Sequence, residues 1–207
     1  MKIVTGAYGA RAAEYIELLG TIESTSATDR EAIGTWAARV DGTILDIGCG
    51  PGQWTGWLHA QGHAIEGIDP VDEFIAHARR RFPDVPFRSG TADAVDIPDG
   101  SLGGVLAWYS LIHLDPSDLG RALAEFARVL APGGALMMGF FAGERVEPFI
   151  HAVTTAWFWP VNELARRLET AGFVVTATHA RTDPGARPHG AIEANWRPGG
   201  ASATPAA

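Results

Sequence analysis

Cysteine, basic charge and long apolar runs are all scarce in this sequence of 207 residues. The single Cys49 excludes an internal disulfide. No His or metal-ligand spacing accompanies it, so it reads as a small residue in a turn or, alternatively, as a reactive thiol. Lys and Arg total 16 against 24 Asp and Glu, giving a net charge of −8 and a pI near 5.3. That balance carries no basic footprint for a nucleic-acid partner. No apolar run is long enough to span a bilayer, and no charged-then-apolar leader opens the chain. No pair of His with Asp or Glu shows the spacing of a metal site. The expectation is therefore a soluble, cytoplasmic protein with no metal, no membrane partner and no nucleic acid; the oligomeric state is open. Hydrophobic residues make up 46% of the chain, which suits one ordinary domain with a small appendage.

The chain is organised around residues 43–55. Thr43–Ile47 is apolar and β-branched apart from Asp46, and Gly48, Gly50 and Gly52 follow. Gln53–Gln61 then suits a helix with Trp54, Trp57 and Leu58 on one side. A strand, a glycine turn and a helix start bring backbone N–H groups close to a ligand. In an open α/β sheet such a turn lies where ligands bind. A dinucleotide fingerprint would place its third glycine where Gln53 stands, and a phosphate loop needs a lysine after its glycines, whereas the sole lysine is Lys2. Asp69 ends the next apolar run, where a carboxylate can accept both hydroxyls of a ribose. An adenosine-containing ligand without a tightly held pyrophosphate fits these facts.

Leu45-Asp46-Ile47-Gly48-Cys49-Gly50-Pro51-Gly52 resembles the first motif of the class I S-adenosylmethionine-dependent methyltransferases, and Gly67-Ile68-Asp69-Pro70 their ribose-binding motif. Gly90-Thr91-Ala92-Asp93, Trp108–His113 and Arg128–Gly134 resemble the later motifs, in order. The resemblance implies S-adenosylmethionine as cofactor, S-adenosylhomocysteine as product, and a small-molecule methyl acceptor. It implies cofactor contacts from Tyr8, Asp46, Gly48, Gly50, Gln53, Asp69, Pro70, Thr91, Ala92 and Trp108. Thr91 departs from the pattern, since many relatives carry Asp there to accept from the adenine amino group; Ala92 can still offer its N–H, and Asp93 is the nearest acid. Gly103-Gly104 is a second departure, where relatives often have an aromatic residue and Asp.

Strands are expected over 43–47, 64–68, 85–89, 103–109, 134–141, 173–180 and 190–196, with helices over 52–61, 71–81, 117–130 and 160–171. This alternation implies a doubly wound, mostly parallel Rossmann-like sheet. The last two strands have no helix between them, so the final strand of the seven is expected antiparallel. Before the sheet, Ala7–Leu19 and a helix from Thr28 or Asp29 to Val40 flank a loop over Gly20–Ala27 that reads as mobile. Residues 1–40 are thus expected to form a helical lid, 41–196 the methyltransferase domain, and 197–207 a disordered tail.

Methyl transfer from a sulfonium needs alignment, exclusion of water, and a base only when the nucleophile carries a proton. His113, after the strand that ends at Tyr109, is the candidate base, with Tyr109 the competing catalytic group and Ser110 beside it; a structural His113 is the alternative. Tyr8 either reaches the methionine end of the cofactor or packs with Tyr15. Asp69 either binds ribose or caps the helix after Val71. Phe141–Trp159, dense in aromatics, either walls the substrate or packs a short helix on the core. Three functions compete: a small-molecule O- or N-methyltransferase, a protein that binds S-adenosylmethionine without transfer, and a nicotinamide or nucleotide-sugar oxidoreductase, against which Gln53 and the later motifs argue.

Overall fold

The computed structural model describes residues 2–199. Five parallel strands begin a nine-stranded sheet: β1 (Ile44–Ile47), β2 (Ile65–Asp69), β3 (Phe87–Ser89), β4 (Leu102–Trp108) and β5 (Leu130–Ala142). Their spatial order is β3-β2-β1-β4-β5. Two more, β8 (Phe173–Arg181) and β9 (His189–Trp196), form a hairpin. Its second strand lies antiparallel on β5, from Ala135 opposite Asn195 to Phe141 opposite His189. These seven strands are the expected ones, with the expected antiparallel ending.

The remaining pair answers the question posed by Phe141–Trp159. That segment is neither a plain loop nor a short helix but a hairpin, β6 (Glu147–Ile150) and β7 (Thr155–Trp159). β7 pairs in parallel with the end of β5, Phe141 opposite Phe158 and Ala142 opposite Trp159. β5 also begins early, at Leu130, directly after its preceding helix. Its first residue already pairs with Leu102. The Pro132-Gly133-Gly134 sequence therefore lies inside the strand, with Gly133 at φ 87°.

Alternation along β1 assigns the two faces. Leu45 and Ile47 pack with Leu123, Phe126, Leu168 and Phe173, on the face covered by α6 (Leu119–Val129) and α7 (Val161–Thr170). Ile44 packs with Ile33, Trp36, Trp54 and Leu58, under α3 (Ala27–Ala37) and α4 (Gln53–Ala60). α5 (Asp72–Arg81) closes that face beyond β2, with Ile75 and Ala78 against Phe87. The N-terminal region holds α1 (Lys2–Ala10) and α2 (Ala12–Leu19), broken at Arg11, then a 3-10 turn over Ile22–Ser24 in the expected loop. α3 starts one residue before the expected cap. Ser26 accepts from the Thr28 N–H at 3.2 Å, a common way to satisfy a free helix donor.

The Gly103-Gly104 departure has a packing cause. A Cβ on Gly103 would stand 1.9 Å from the Asp41 carbonyl oxygen, and one on Gly104 would meet Val40 at 2.9 Å and the Trp36 ring at 3.3 Å. Bare backbone on β4 lets the end of α3 and the following turn lie directly on the sheet. Trp36 is accordingly only 2% exposed. Among the described residues no helix is long and apolar enough to cross a membrane. The tail expected over 197–207 lies outside the described residues from position 200 onward.

Candidate functional site

A cleft of about 620 Å³ opens beyond the carboxyl ends of β1, β2 and β4. Its floor is the glycine turn. Gly48, Gly50 and Gly52 all take positive φ, at 70°, 57° and 87°, a region closed to most side chains. A Cβ on Gly48 would also strike the Ser110 Cβ at 2.3 Å, so β1 and the end of β4 meet there only because the side chain is missing. The turn is tied to β2 by two N–H donors, Gly48 at 2.8 Å and Cys49 at 3.0 Å, both to the Ile68 carbonyl.

Asp69 finishes that tie. The Gly50 N–H donates to Oδ2 at 2.9 Å, and the Val71 N–H donates to Oδ1 at 2.8 Å. Asp69 thus steadies the start of α5 and also lines the cleft, with lone pairs left on each oxygen. Asp72, which could have shared the capping duty, instead accepts from the Ser89 hydroxyl at 2.7 Å. Burial raises the Asp69 pKa to about 6, and the two backbone donors oppose the rise. Asp46 is buried on the α4 side of β1 and accepts from the Thr55 hydroxyl at 2.6 Å. It therefore fixes the strand to the helix that follows the turn. Burial lifts its pKa to about 7; the Thr55 bond works against this, and the Asp69 charge adds to it. Burial also pushes the Cys49 thiol up, which keeps it protonated and unreactive.

Pro70, Thr91, Ala92, Asp93, Gln53 and Trp108 line the same cleft. Gln53 Oε1 and Ser110 Oγ are buried without a protein partner, so two polar atoms in the lining hold unused hydrogen-bonding capacity. Asp93 is shared with Arg121 at 3.2 Å. Trp108 packs edge-on against Trp54, with ring centroids 6.1 Å apart.

Tyr8, His113 and Tyr109 also converge on the cleft. His113 Nδ1 lies 2.7 Å from the Thr155 carbonyl, which can only accept. Nδ1 therefore carries the proton, and Nε2 accepts from the Tyr8 hydroxyl at 2.8 Å. Burial lowers the His113 pKa and so favours the neutral ring, while the Thr155 carbonyl pulls the other way. Burial raises the Tyr8 pKa, so its hydroxyl keeps its proton. Tyr8 also packs edge-on with Tyr15 at 5.6 Å, and with Phe74, so packing and cleft exposure coexist. Tyr109 takes φ 56°, the only positive value at a non-glycine among the described residues. Its hydroxyl bonds His189 Nδ1.

Sequence reasoning missed one group here. Arg181 at the end of β8 pairs with Asp29 of α3 at 2.5 Å and with Asp183 at 3.0 Å. These three line the cleft beside His189. They lie more than 150 positions apart in part, so no local spacing announces them. From the aromatic segment, Phe141 and His151 reach the cleft. Phe149 and Phe158 stack behind Phe141, 4.2 Å apart. His179 is exposed on β8. Among the described residues no His, Cys, Asp and Glu cluster is arranged to hold a metal.

A family model described as a methyltransferase domain matches residues 44–134. That match covers the glycine turn, Asp69 and the strand leading to His113. Over residues 44–134 this chain is similar to the methyltransferase-domain family. An uncharacterised methyltransferase of Mycobacterium bovis is 36% identical over 93 residues, covering 45% of this chain and 37% of the relative. The chain spans 37% of the length of the first curated relatives that it matches. Among solved structures, the methyltransferase of Burkholderia thailandensis that acts at N1 of 1,6-didemethyltoxoflavin, with that compound and S-adenosylhomocysteine bound, superposes with a TM-score of 0.76. It is 20% identical and covers 93% of this chain and 88% of its own. The (4+2)-cyclase SpnF superposes with a TM-score of 0.67 at 20% identity, covering 82% and 80%. Methyltransferase and cyclase thus share the fold that this chain adopts.

The two buried acids set a pH dependence of stability. Their folded pKa values, about 7 for Asp46 and about 6 for Asp69, lie above the ordinary carboxylate value. The native state then binds more protons than the unfolded chain, and this contribution is full in acid and lost as pH rises through the folded values. Asp46→Asn keeps an acceptor for Thr55 without a charge. Relative to wild type, the variant should gain about 1–3 kcal/mol in urea unfolding between about pH 5 and pH 8. A constant difference across that range would show that Asp46 is not a burial-shifted acid.

Proposed function

We propose that this chain is an S-adenosylmethionine-dependent methyltransferase (EC 2.1.1.-) acting on an oxygen or nitrogen of a small molecule. The observation that carries the reading is one cleft that holds both the glycine turn with Asp69 and a neutral, oriented His113 behind the Tyr8 hydroxyl. The lining fits the cofactor. Asp69 has lone pairs free for a ribose diol, a Cβ at Gly50 would meet nothing within 4 Å, and Gln53 and Ser110 offer unpartnered polar atoms. In this reading Gly48, Gly50 and Gln53 face the methionine moiety, and Asp46 braces the turn through Thr55. Asp69 and Pro70 hold the ribose, Thr91 and Ala92 border the adenine, and Trp108 stands near the sulfonium.

Bound, the cofactor would supply a methyl group already activated as an electrophile by its sulfonium, with the thioether as leaving group. The chain's own contribution is to align the acceptor and take its proton. His113 Nε2 is occupied by Tyr8, so the proton reaches it through that hydroxyl. Tyr8 Oη accepts from the acceptor O–H or N–H while its own proton passes to Nε2, and the Thr155 carbonyl steadies the imidazolium that forms. Tyr109 is the second catalytic candidate, held through His189.

Of the lid expected over residues 1–40, α1 and α2 remain as the proposed lid and α3 does not, since its Ile33 and Trp36 lie in the core. α1 and α2 reach the body through Tyr8, through Arg11 donating to the Ala152 carbonyl, and through the small cluster of Ala12, Val71 and Phe74. A second reading, binding without transfer, is favoured by one observation: a cyclase shares the fold. Incubation with methyl-labelled cofactor and a metabolite pool separates the two. Labelled product supports transfer, and binding with no labelled product supports the second reading.

Asp69→Asn leaves an acceptor for one backbone donor but no charge, and calorimetry should show cofactor affinity weakened by roughly 1–3 kcal/mol. Unchanged affinity in the folded variant would take Asp69 out of the site. His113→Ala should lower turnover by about a hundredfold or more with cofactor affinity nearly intact. In the wild type, kcat/KM should fall as pH drops through a value below the ordinary histidine pKa, because only neutral imidazole accepts the proton. Lost stability and cofactor affinity without any titration of the rate would instead make His113 structural. With S-adenosylhomocysteine, hydrogen exchange should slow around Tyr8 and stay unchanged around Trp36; equal exchange at Tyr8 would mean that α1 and α2 are permanently docked.

A further inference from the structure

The part of the cleft away from the glycine turn is a chain of rings. His113 and His151 stand 5.1 Å apart, His151 and Phe141 5.9 Å, Phe141 and His189 6.0 Å, and His189 and Tyr109 5.7 Å. Phe141 is the hub, with Tyr109 also 5.1 Å from it and Phe149 supporting it from behind at 5.2 Å. Along this chain Phe141 stands between two Tyr–His pairs, Tyr8–His113 and Tyr109–His189. The strained backbone of Tyr109 keeps the second pair turned toward Phe141.

The two pairs offer different chemistry. Tyr8 has spent its proton on His113, so its oxygen presents lone pairs and asks for a donor. At the second pair, one internal bond leaves one donor and one acceptor between the Tyr109 oxygen and His189 Nε2, whichever ring nitrogen carries the proton. A neutral carbonyl or amide suits such a pair. Charge narrows the ligand further. Arg181 is the one cationic side chain lining the cleft among the described residues, and it is already shared between Asp29 and Asp183. Nothing in the lining stands free to neutralise an anion, and burying an unpaired charge is costly.

We propose that the methyl acceptor is an uncharged planar aromatic compound lying against Phe141. Its O–H or N–H points to the Tyr8 oxygen, and a neutral polar group at its other side bonds the Tyr109–His189 pair. The proposal rests on the methyltransferase reading above and names the substrate class for that site. Aromatic faces and edges pair favourably at these separations, and the groups at either side fix the orientation of the ring.

The test is binding to the full chain in the presence of S-adenosylhomocysteine, read by calorimetry, with 4-hydroxybenzamide, 4-hydroxybenzoate and trans-4-hydroxycyclohexanecarboxamide as probes. The aromatic amide should bind at least about tenfold more tightly than the carboxylate, because the cation of the lining, Arg181, is already paired. It should exceed the saturated amide by about tenfold, a margin that Phe141→Leu should remove. Tyr109→Phe should weaken the aromatic amide alone by about tenfold and leave S-adenosylhomocysteine binding in place, which shows that the variant is folded. A carboxylate or a saturated ring that binds as tightly as the aromatic amide overturns the proposal. So does S-adenosylhomocysteine binding with no probe bound. Failure of S-adenosylhomocysteine itself to bind overturns the cofactor reading, and this proposal with it.

Discussion

Everything in the cleft depends on one buried carboxylate. Asp69 accepts from Gly50 on one oxygen and from Val71 on the other. The first bond holds the glycine turn open over β2, and the second starts α5. Charge-assisted bonds of this kind are strong where water is excluded, yet burial still raises the Asp69 pKa to about 6. Each Asp69 oxygen keeps lone pairs facing the cleft, and a hydroxyl donating to one of them stabilises the charged form that burial disfavours.

The rest of the site follows from how β4 and β5 end. β4 stops at Trp108, because Tyr109 turns into the left-handed region. β5 continues past it to Ala142 and there takes on β7. That overhang carries Phe141 beyond the sheet and brings the Thr155 carbonyl to His113. The same hairpin thus supplies the wall and fixes the histidine tautomer. α1 brings Tyr8 to the same place, and the β8–β9 hairpin brings Arg181 and His189. The glycine turn and the Tyr8–His113 pair come from distant parts of the chain, joined by the topology of the sheet.

Much of this was legible in the residues. The glycine turn, Asp69 and the alternating elements are local patterns, in which spacing fixes geometry within one strand–turn–helix unit. Tyr8 and His113 were each legible as candidates, but their contact spans 105 positions and no periodicity encodes it. The hairpin over 147–159 was obscured for a physical reason: its aromatics stack on one another, Phe149 on Phe158, rather than alternating with polar residues. The Asp29–Arg181–Asp183 group was invisible, since each member is an ordinary charged residue until the fold brings them together. Gly103-Gly104 ran the other way: the departure was plain in the sequence, and its cause became clear only with the Asp41 carbonyl lying over the strand.

On the proposed function, one cleft holds the cofactor on Asp69 and turns its sulfur toward the Tyr8–His113 pair. A crystal structure of the chain with S-adenosylhomocysteine tests it most directly. The account predicts the ribose diol on the Asp69 carboxylate, the amino-acid end over Gly48 and Gly50, and the sulfur facing the ring wall around Phe141. Ligand bound elsewhere, or with its ribose away from Asp69 or its sulfur away from Tyr8 and His113, would contradict it.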